Sequence, residues 1–284
     1  MTDVRAEQVT ASITYHGEGP VWSDQWGGLR FVDMLAGDVL SLQPDGTVVR
    51  RHVGNVAAAL RPRRGGGAVI GVERGFALEE PDGTLTTLAE VWSDDTVRMN
   101  DGGCDPDGRF YCGSMAYDKS TGAGSLYRLD LDGSVHRVLG DVTISNGLEW
   151  TPDGRRAYYN DTPTHRISVF DYDPVEGLTG RRTLVELSDD EFPDGLTVDA
   201  EGGVWTALNG GSAVHRYTPD GALDAVVEVP ARQVTACTFG GADLDLLYIT
   251  TSREDLPEGE DPLAGAVFAA NVGVRGMPTR DFWG

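Results

Sequence analysis

The sequence predicts an all-β fold, a six-bladed β-propeller with four-stranded antiparallel blades. Short runs of β-branched and aromatic residues alternate with turn signals along the chain, and helical periodicity is nearly absent. Asp-Gly recurs between these runs, as in "LQPDGTVV", "LEEPDGTLT" and "WTPDGRRAYY", and this dipeptide is a strong hairpin signal. A longer repeat then groups the strands into similar units.

The repeat appears when three stretches are aligned: "NDGGCDPDGRFYCGSM", "SNGLEWTPDGRRAYYND" and "PDGLTVDAEGGVWTAL". Each has a polar residue before Gly, a strand, a turn and a second strand. The residues before the Gly, Asp101, Asn146 and Asp194, are 45 and 48 positions apart. Four-stranded repeats of that length are typical of propeller blades. Six units are predicted, beginning near Glu18, Ala57, Asp101, Asn146, Asp194 and Val234.

The last unit contains one strand too few. Only "VTACTFGG", "LLYITT" and "GAVFAANV" follow from Val234, whereas "QVTASITY" near the N-terminus belongs to no blade. An N-terminal strand that pairs with the last blade would close the ring and cover a sheet edge. We therefore expect residues 1–284 to form a single propeller domain.

The charge of the chain excludes some classes of partner. With 45 acidic and 23 basic residues, the formal net charge is −22, so nucleic acids and anionic membrane surfaces are not expected ligands. The chain contains no apolar run long enough to cross a bilayer, and "MTDVRAEQVT" does not resemble a signal peptide. We expect a cytoplasmic protein that acts on a small molecule, with reduced, buried cysteines.

Polar residues at the blade starts predict a metal site. The first strand of each blade lies nearest the propeller axis, so residues at equivalent positions should meet around one mouth of the channel. Glu18, Asn146, Asp194 and either Asn100 or Asp101 occupy such positions in blades one, four, five and three. Carboxylates gathered at a partly buried site need a cation between them, and oxygen ligands suit a hard divalent ion. Any one of these residues alone is more typical of a turn, and only their shared phase in several blades favours a site.

The same residues carry a family resemblance. The stretches "HGEGPVW", "RMNDGGCDPDGRFYCGSM", "SNGLEWTPDGRRAYYND", "FPDGLTVDAEGGVWTALNGG", "TACTFGGADLDLLYIT" and "PLAGAVFAANVGVRGMP" span nearly the whole chain. In order and spacing they resemble the regucalcin/gluconolactonase family, whose members are six-bladed propellers with a divalent metal in the central channel. The resemblance implies that Glu18, Asn146 and Asp194 are metal ligands and that Arg98 and Asn100 bind substrate.

The chain departs from this family in one loop. Regucalcin-like members have a longer loop after the equivalent of "GSM", with a glutamate that contacts the sugar, whereas this chain has the shorter "AYDKSTGAGSLY" with Ser120 near that position. Bacterial sugar lactonases are similar in having shorter loops. The departure therefore concerns the identity of the substrate more than the type of reaction.

These observations predict a metal-dependent lactonase. The cation, one of Ca²⁺, Mg²⁺, Mn²⁺, Zn²⁺ or Fe²⁺, would act as a Lewis acid on the carbonyl of a sugar-derived or related lactone. Asp194 is the candidate catalytic base, while His16 is assigned to packing or to a supporting hydrogen bond. Two alternatives remain open: an arylesterase or phosphotriesterase on the same metal propeller, and a calcium-binding propeller without catalysis.

Overall fold

The strands of the computed structural model form six sheets, one for each predicted blade. The structure describes residues 2–284. Two short strands at the N-terminus come first, β1 (Thr2–Arg5) and β2 (Glu7–Gln8). The six-bladed propeller with four-stranded antiparallel blades is therefore confirmed.

The first three blades are consecutive in sequence. Blade one comprises β3 (Gly17–Ser23), β4 (Gly28–Asp33), β5 (Asp38–Leu42) and β6 (Val48–His52). Blade two comprises β7 (Ala57–Pro62), β8 (Ala68–Val72), β9 (Gly75–Glu79) and β10 (Leu85–Thr87). Blade three comprises β11 (Val97–Cys104), β12 (Phe110–Ala116), β13 (Gly124–Leu129) and β14 (Val135–Val142).

The remaining blades follow the same order. Blade four comprises β15 (Ser145–Trp150), β16 (Arg156–Asp161), β17 (Arg166–Asp173) and β18 (Gly177–Glu186). Blade five comprises β19 (Phe192–Val198), β20 (Val204–Asn209), β21 (Ala213–Tyr217) and β22 (Leu223–Glu228). Blade six comprises β23 (Val234–Gly240), β24 (Leu246–Thr251) and β25 (Phe268–Asn271). The first strands of neighbouring blades contact one another around the axis.

The N-terminus closes the ring in two steps. Strand β2 pairs antiparallel with β25 and supplies the missing fourth strand of blade six, as the sequence predicts. The strand ends at Gln8, where the predicted segment begins, and the backbone of Val9 and Ile13 instead donates single hydrogen bonds to Val267 and Gly265. The sequence did not predict β1, which adds to blade five as a fifth strand parallel to β22. Together β1 and β2 cover the outer edges of blades five and six.

The Pro-Asp-Gly turns lie between strands, as predicted. Asp45 and Asp82 each accept a hydrogen bond from the backbone N–H two residues on, at 3.0 and 2.8 Å. The glycines that follow, Gly46 and Gly83, have φ of 83° and 86°, the left-handed conformation that glycine adopts without steric penalty. The same tripeptide at Pro193 to Gly195 is different, because it lies inside β19.

Aromatic side chains fill the space between blades. Trp150 of blade four packs edge-on against Tyr111 of blade three at 5.2 Å between ring centroids, and Trp205 packs against Phe239 at 5.8 Å. The three cysteines are free and buried within the described residues, as predicted. Helical structure in the same part of the chain is limited to three-residue turns, and no helix is long and apolar enough to cross a membrane.

The C-terminal segment lies against one end of the channel. Phe282 is buried with the core of blades one to three, and Arg280 donates to Glu149 of blade four at 2.9 Å. Thr279 donates to the carbonyl oxygen of Trp22 in blade one at 2.8 Å. The segment thereby ties several blades together. At the other end lies the pocket described below.

Candidate metal centre and substrate pocket

The inner strand of every blade has a register irregularity near the pocket end of the channel. The shifts fall between Glu18 and Val21, Ala57 and Ala59, Met99 and Gly102, Ser145 and Leu148, Pro193 and Leu196, and Val234 and Ala236. Such bulges change the direction of side chains and interrupt regular pairing. Four of the six lie at predicted site residues, so the bulges bring these side chains to the axis.

Two aspartates fix the segments that lead into the site. Asp33, at the end of β4, accepts hydrogen bonds from the backbone N–H groups of Tyr15 and His16, each at 3.0 Å. Asp161, at the end of β16, accepts from Thr143 and Ile144 at 3.2 and 2.9 Å. The segments that precede Glu18 and Asn146 are thus anchored in the same way. A carboxylate that accepts two backbone N–H groups restrains the chain on both sides of a short loop.

The pocket contains all five side chains that the sequence singled out. It has a volume of about 310 Å³ and opens at one mouth of the propeller. The site residues that line it are Glu18, Arg98, Asn100, Asn146 and Asp194. Apolar side chains complete the wall, among them Met115, Ile144 and Phe192. The structure therefore brings together residues from blades one, three, four and five.

The structure also distinguishes Asn100 from Asp101. Asn100 faces the pocket, whereas Asp101 lines a separate cavity of about 40 Å³ that Arg61, Glu149 and the C-terminal segment also line. Asp101 accepts a hydrogen bond from the N–H of Gly102 at 2.6 Å. Both residues lie in the bulge between Met99 and Gly102, which directs the two side chains to different cavities.

A chain of hydrogen bonds orients the two amides. Arg98 donates through Nη1 to Oδ1 of Asn100 at 2.7 Å, and Nδ2 of Asn100 donates to Oδ1 of Asn146 at 2.9 Å. Nδ2 of Asn146 then donates to Thr162 at 2.7 Å, and Thr162 donates to the carbonyl oxygen of Pro193 at 2.7 Å. Because Asn146 donates to Thr162 through Nδ2 and accepts from Asn100 at Oδ1, its amide oxygen is held on the side of Asn100.

The two oxygens of Asp194 have different surroundings. Oδ2 accepts a hydrogen bond from Asn209 at 2.9 Å, whereas Oδ1 is buried and accepts no hydrogen bond from any residue between 2 and 284. A buried acceptor without a partner costs about 1–3 kcal/mol, and more when it is charged. Oδ1 is therefore available for a cation or for a proton of water.

The carboxylates are destabilised as anions in the protein alone. Burial, followed by the charges of Asp194 and Asp101, raises the pKa of Glu18 well above its ordinary range. Burial also raises the pKa of Asp194, and nearby Asp101 adds to this effect. These are the conditions in which a cation between the carboxylates would restore their ionised forms.

Two further ionisable groups belong to the site. Burial lowers the pKa of Arg98, yet a guanidinium remains protonated at neutral pH. Burial, then the charges of Arg98 and Lys119, lowers the pKa of His16 to about 3. The His16 ring is therefore neutral, and its Nδ1 lies 2.7 Å from Oγ of Ser252. This contact agrees with the supporting role that the sequence suggested.

The donor set fits a hard divalent cation. It consists of two carboxylates and one amide oxygen, the ligand types that Ca²⁺ and Mg²⁺ prefer, and it includes the unpartnered Oδ1 of Asp194. Across residues 2–284, no three His, Cys, Asp or Glu side chains are grouped so as to hold a metal ion. The predicted set contains only two such side chains and depends on Asn146 for its third protein ligand.

Several residues of the site were missed in the sequence. Thr162 and Asn209 orient Asn146 and Asp194, and both lie at or beside the end of the second strand of their blades. In an antiparallel pair that end adjoins the start of the first strand. Polar residues there were therefore a usable signal. Lys119, Glu254 and Asp255 come from loops outside the repeat and had no such signal.

Comparison with known proteins places this geometry in a family. The family model described as "SMP-30/Gluconolactonase/LRE-like region" matches residues 16–253. The chain belongs to this family. The match begins at His16, two residues before Glu18, and includes every residue of the predicted site. The family assignment made from the sequence is thus confirmed.

The most informative relatives match along nearly their whole length. Regucalcin from Danio rerio is 35% identical, with all of both chains covered. A 6-deoxy-6-sulfogluconolactonase from Pseudomonas putida is 37% identical, with 92% of each chain covered. The crystal structure of a calcium-binding protein, regucalcin, from Agrobacterium tumefaciens superposes with a TM-score of 0.92 at 29% identity, covering 99% of each chain.

Proposed function

We propose that this protein is a divalent-metal-dependent lactonase that hydrolyses sugar-derived or related lactones to the hydroxy acids. One observation carries the proposal: two buried carboxylates and an oriented amide face the same pocket as Arg98 and Asn100. Membership of a family with relatives named as lactonases supports hydrolysis of a cyclic ester. Relatives and a structural neighbour named regucalcin support the divalent cation.

The proposed ligands are Glu18, Asn146 and Asp194. The amide of Asn146 is held by its hydrogen bonds to Asn100 and Thr162, and Asp194 is held at Oδ2 by Asn209. A bound divalent cation would polarise the lactone carbonyl and increase the acidity of water. The oxygen ligands agree with Ca²⁺, Mg²⁺ or Mn²⁺, and a site with three protein ligands also accepts Zn²⁺ or Fe²⁺.

Arg98 and Asn100 are the proposed substrate-binding residues. The hydrogen bonds that Arg98 donates to described residues all come from Nη1, so Nε and Nη2 are left for oxygens of the substrate. Arg98 is 3% exposed, and an arginine held this firmly can orient a ligand with little loss of side-chain entropy. Asn100 connects Arg98 to Asn146 and so sets the substrate site beside the ligand site.

Asp194 is the proposed general base. Its Oδ1 accepts the proton of the attacking water while the water oxygen bonds to the carbonyl carbon. The bond between the carbonyl carbon and the ring oxygen then breaks. Asp194 gives its proton to the ring oxygen, which becomes a hydroxyl group of the product. A positioned base typically contributes 10²- to 10⁴-fold to the rate.

The test is an assay of the purified protein with a pH indicator. The substrates are aldonolactones, homoserine lactones, aryl esters and phosphotriesters, each assayed after chelation and after addition of Ca²⁺, Mg²⁺, Mn²⁺, Zn²⁺ or Fe²⁺. We expect lactones to be hydrolysed only with added cation. Undiminished hydrolysis after chelation would reject metal dependence, and faster hydrolysis of aryl esters or phosphotriesters would favour that alternative. Absence of turnover on all four classes would favour a binding protein.

Two variants test the assigned roles. Asp194→Asn should lose at least about 10²-fold in kcat, because an amide can contact a cation but cannot accept the proton. Glu18→Gln should weaken cation binding and recover its rate in excess cation. Asp45→Asn, an exposed turn carboxylate, is the matched control and should keep the wild-type rate. Near-native turnover of Asp194→Asn would remove Asp194 from the mechanism.

We also propose that the protein acts in carbohydrate metabolism as a cytoplasmic enzyme. That residues 1–284 form a single domain remains a prediction of the sequence.

A further inference from the structure

The rim of the pocket carries the only lysine of the chain. Of the 23 basic residues, 22 are arginines, and the single lysine is Lys119, in the loop after β12. Its side chain lines the pocket opposite Asp255, which belongs to the loop after β24. Lysine and arginine differ as ligands, because an ammonium is a compact charge on a flexible stem, whereas a guanidinium is a planar fork.

Both residues of this pair have an unusual backbone conformation. The φ angles are 60° at Lys119 and 59° at Asp255, in the left-handed region that residues other than glycine seldom adopt. A turn fixes the lysine, since its N–H donates to the carbonyl oxygen of Ala116 at 3.0 Å. Sparsely populated conformations of this kind cluster at functional sites.

The ion pair itself is exposed and exchangeable. Nζ of Lys119 lies 3.2 Å from Oδ2 of Asp255, and the two side chains are 49% and 74% exposed. Pairs with this exposure contribute little to stability because water competes with them. The ammonium has three N–H donors, and this ion pair uses one of them. Lys119 can therefore turn from Asp255 to a ligand without a large loss elsewhere.

The other charges of the pocket indicate which ligand would need the lysine. The cationic side chains that line it are Arg98 and Lys119, and Arg98 hydrogen-bonds to Asn100. Glu254 and Asp255 at the rim can accept hydrogen bonds from the hydroxyl groups of a neutral sugar, so such a substrate does not require Lys119. A carboxylate, phosphate or sulfonate group only accepts hydrogen bonds, and both rim carboxylates repel it.

We propose that Lys119 is a specificity-determining residue that selects lactones with a second, anionic group on the carbon chain outside the ring. The ammonium leaves Asp255 and donates to that group while Arg98 and Asn100 bind the lactone end. Without substrate the ammonium pairs with Asp255, and this carboxylate therefore competes with the anionic group of the substrate. The inference rests on the proposed lactonase function and names the substrate class for it.

The experiment compares neutral and anionic lactones on rim variants. The substrates are glucono-1,5-lactone and its counterparts with a 6-phosphate, a 6-sulfonate or a 6-carboxylate, and the measured quantity is the ratio of kcat/KM for each anionic lactone to that for the neutral one. In Lys119→Met the ratio should fall about tenfold, as expected when one charged hydrogen bond is lost. Lys119→Arg should recover most of it.

Asp255→Asn separates recognition from a structural role. If the pair only stabilises the rim, breaking it from either side should change the ratio in the same direction. If Lys119 binds the anion, Asp255→Asn should raise the ratio more in the wild type than in Lys119→Met, where the substitution removes only the repulsion by the rim carboxylate. The matched control is Arg182→Met, which breaks an exposed ion pair with Asp171 on the outer strands of blade four and should leave the ratio unchanged.

The outcomes are distinct from those that test the lactonase itself. Turnover of lactones with a ratio that does not depend on Lys119 would overturn the inference and leave the proposed function intact. The anionic group that loses most in Lys119→Met identifies the natural substituent among the three. If no lactone is hydrolysed, calorimetry with 6-phosphogluconate and gluconate decides. Preferential binding of the phosphate form by the wild type but not by Lys119→Met supports an anion-binding role of Lys119 while the lactone substrate is rejected, and equal binding rejects both.

Discussion

Replacing Asp194 by asparagine should stabilise the protein when divalent cations have been removed. Asp194 is 4% exposed, its Oδ1 has no hydrogen-bond partner among residues 2–284, and burial together with Asp101 raises the pKa of its carboxyl group. At pH 9 an unfolded chain would ionise this group freely, whereas the folded chain must bury the charge. The amide carries no charge and can still accept the hydrogen bond from Asn209.

The expected gain follows from the burial of one uncompensated charge. Leaving such a charge in a protein interior costs about 3–5 kcal/mol, and we take the lower figure because Asn209 remains as one partner. For a chain of this size, ~3 kcal/mol raises the Tm by about 6 °C. In cation at 1,000 times Kd the order should reverse, because binding then stabilises the wild type by about 4.1 kcal/mol, more than the ~3 kcal/mol gained by the variant, which binds the cation less tightly.

Thermal unfolding followed by circular dichroism measures both effects, with chelator or with added Ca²⁺, Mg²⁺ or Mn²⁺. Asp105→Asn is the matched control, since this buried carboxylate has a cationic partner, Nε of Arg109, at 2.6 Å. Asp105→Asn removes the nearer of the two carboxylates that Arg109 contacts, so the control should be destabilised under both conditions. If Asp194→Asn melts below the wild type in chelator, the carboxylate is not an uncompensated charge and the argument for a cation fails.

Two other predictions concern the same site. In the cation-free wild type, stability should fall as pH rises from about 4, the ordinary pKa of a carboxyl group, through the raised pKa values of Glu18 and Asp194. In that range the folded chain holds more protons than the unfolded one. Melts from pH 5 to 9 check this, and saturating cation should remove the slope. Thr162→Val should weaken cation binding, measured by calorimetry, about tenfold, because Asn146 loses one orienting hydrogen bond. The control Thr164→Val should bind the cation as the wild type does. Equal cation affinities of the two variants would contradict the orienting role of Thr162.

The sequence predicts the fold well because the fold is a repeat. Every blade contains the same order of strands and turns, so each unit supports the assignment of the next. The N-terminus is the exception. Its pairing with blade six followed from the missing strand, but the position of β2 and the existence of β1 depend on contacts with residues more than 200 positions away. Local patterns carry no information about such partners.

The sequence predicted which blade starts contribute side chains to the pocket, but not every residue at those starts. Glu18, Asn146 and Asp194 follow from their equivalent positions in three blades, and all three face the pocket. The choice between Asn100 and Asp101 depends on the bulge between Met99 and Gly102, which sequence spacing does not show. A shift of one residue in a strand exchanges the side chains of its two faces.

The architecture separates reaction chemistry from substrate choice. The proposed ligands come from inner strands that contact the inner strands of neighbouring blades. Removing the charge of one carboxylate there changes the pKa of another, as the effect of Asp194 on Glu18 shows. Lys119 and Asp255 come from two exposed loops and contribute a weak ion pair. Substitutions at the rim are therefore compatible with an intact fold and with the proposed ligands in place. Among chains with the same inner strands, the composition of these loops should decide which lactone is hydrolysed.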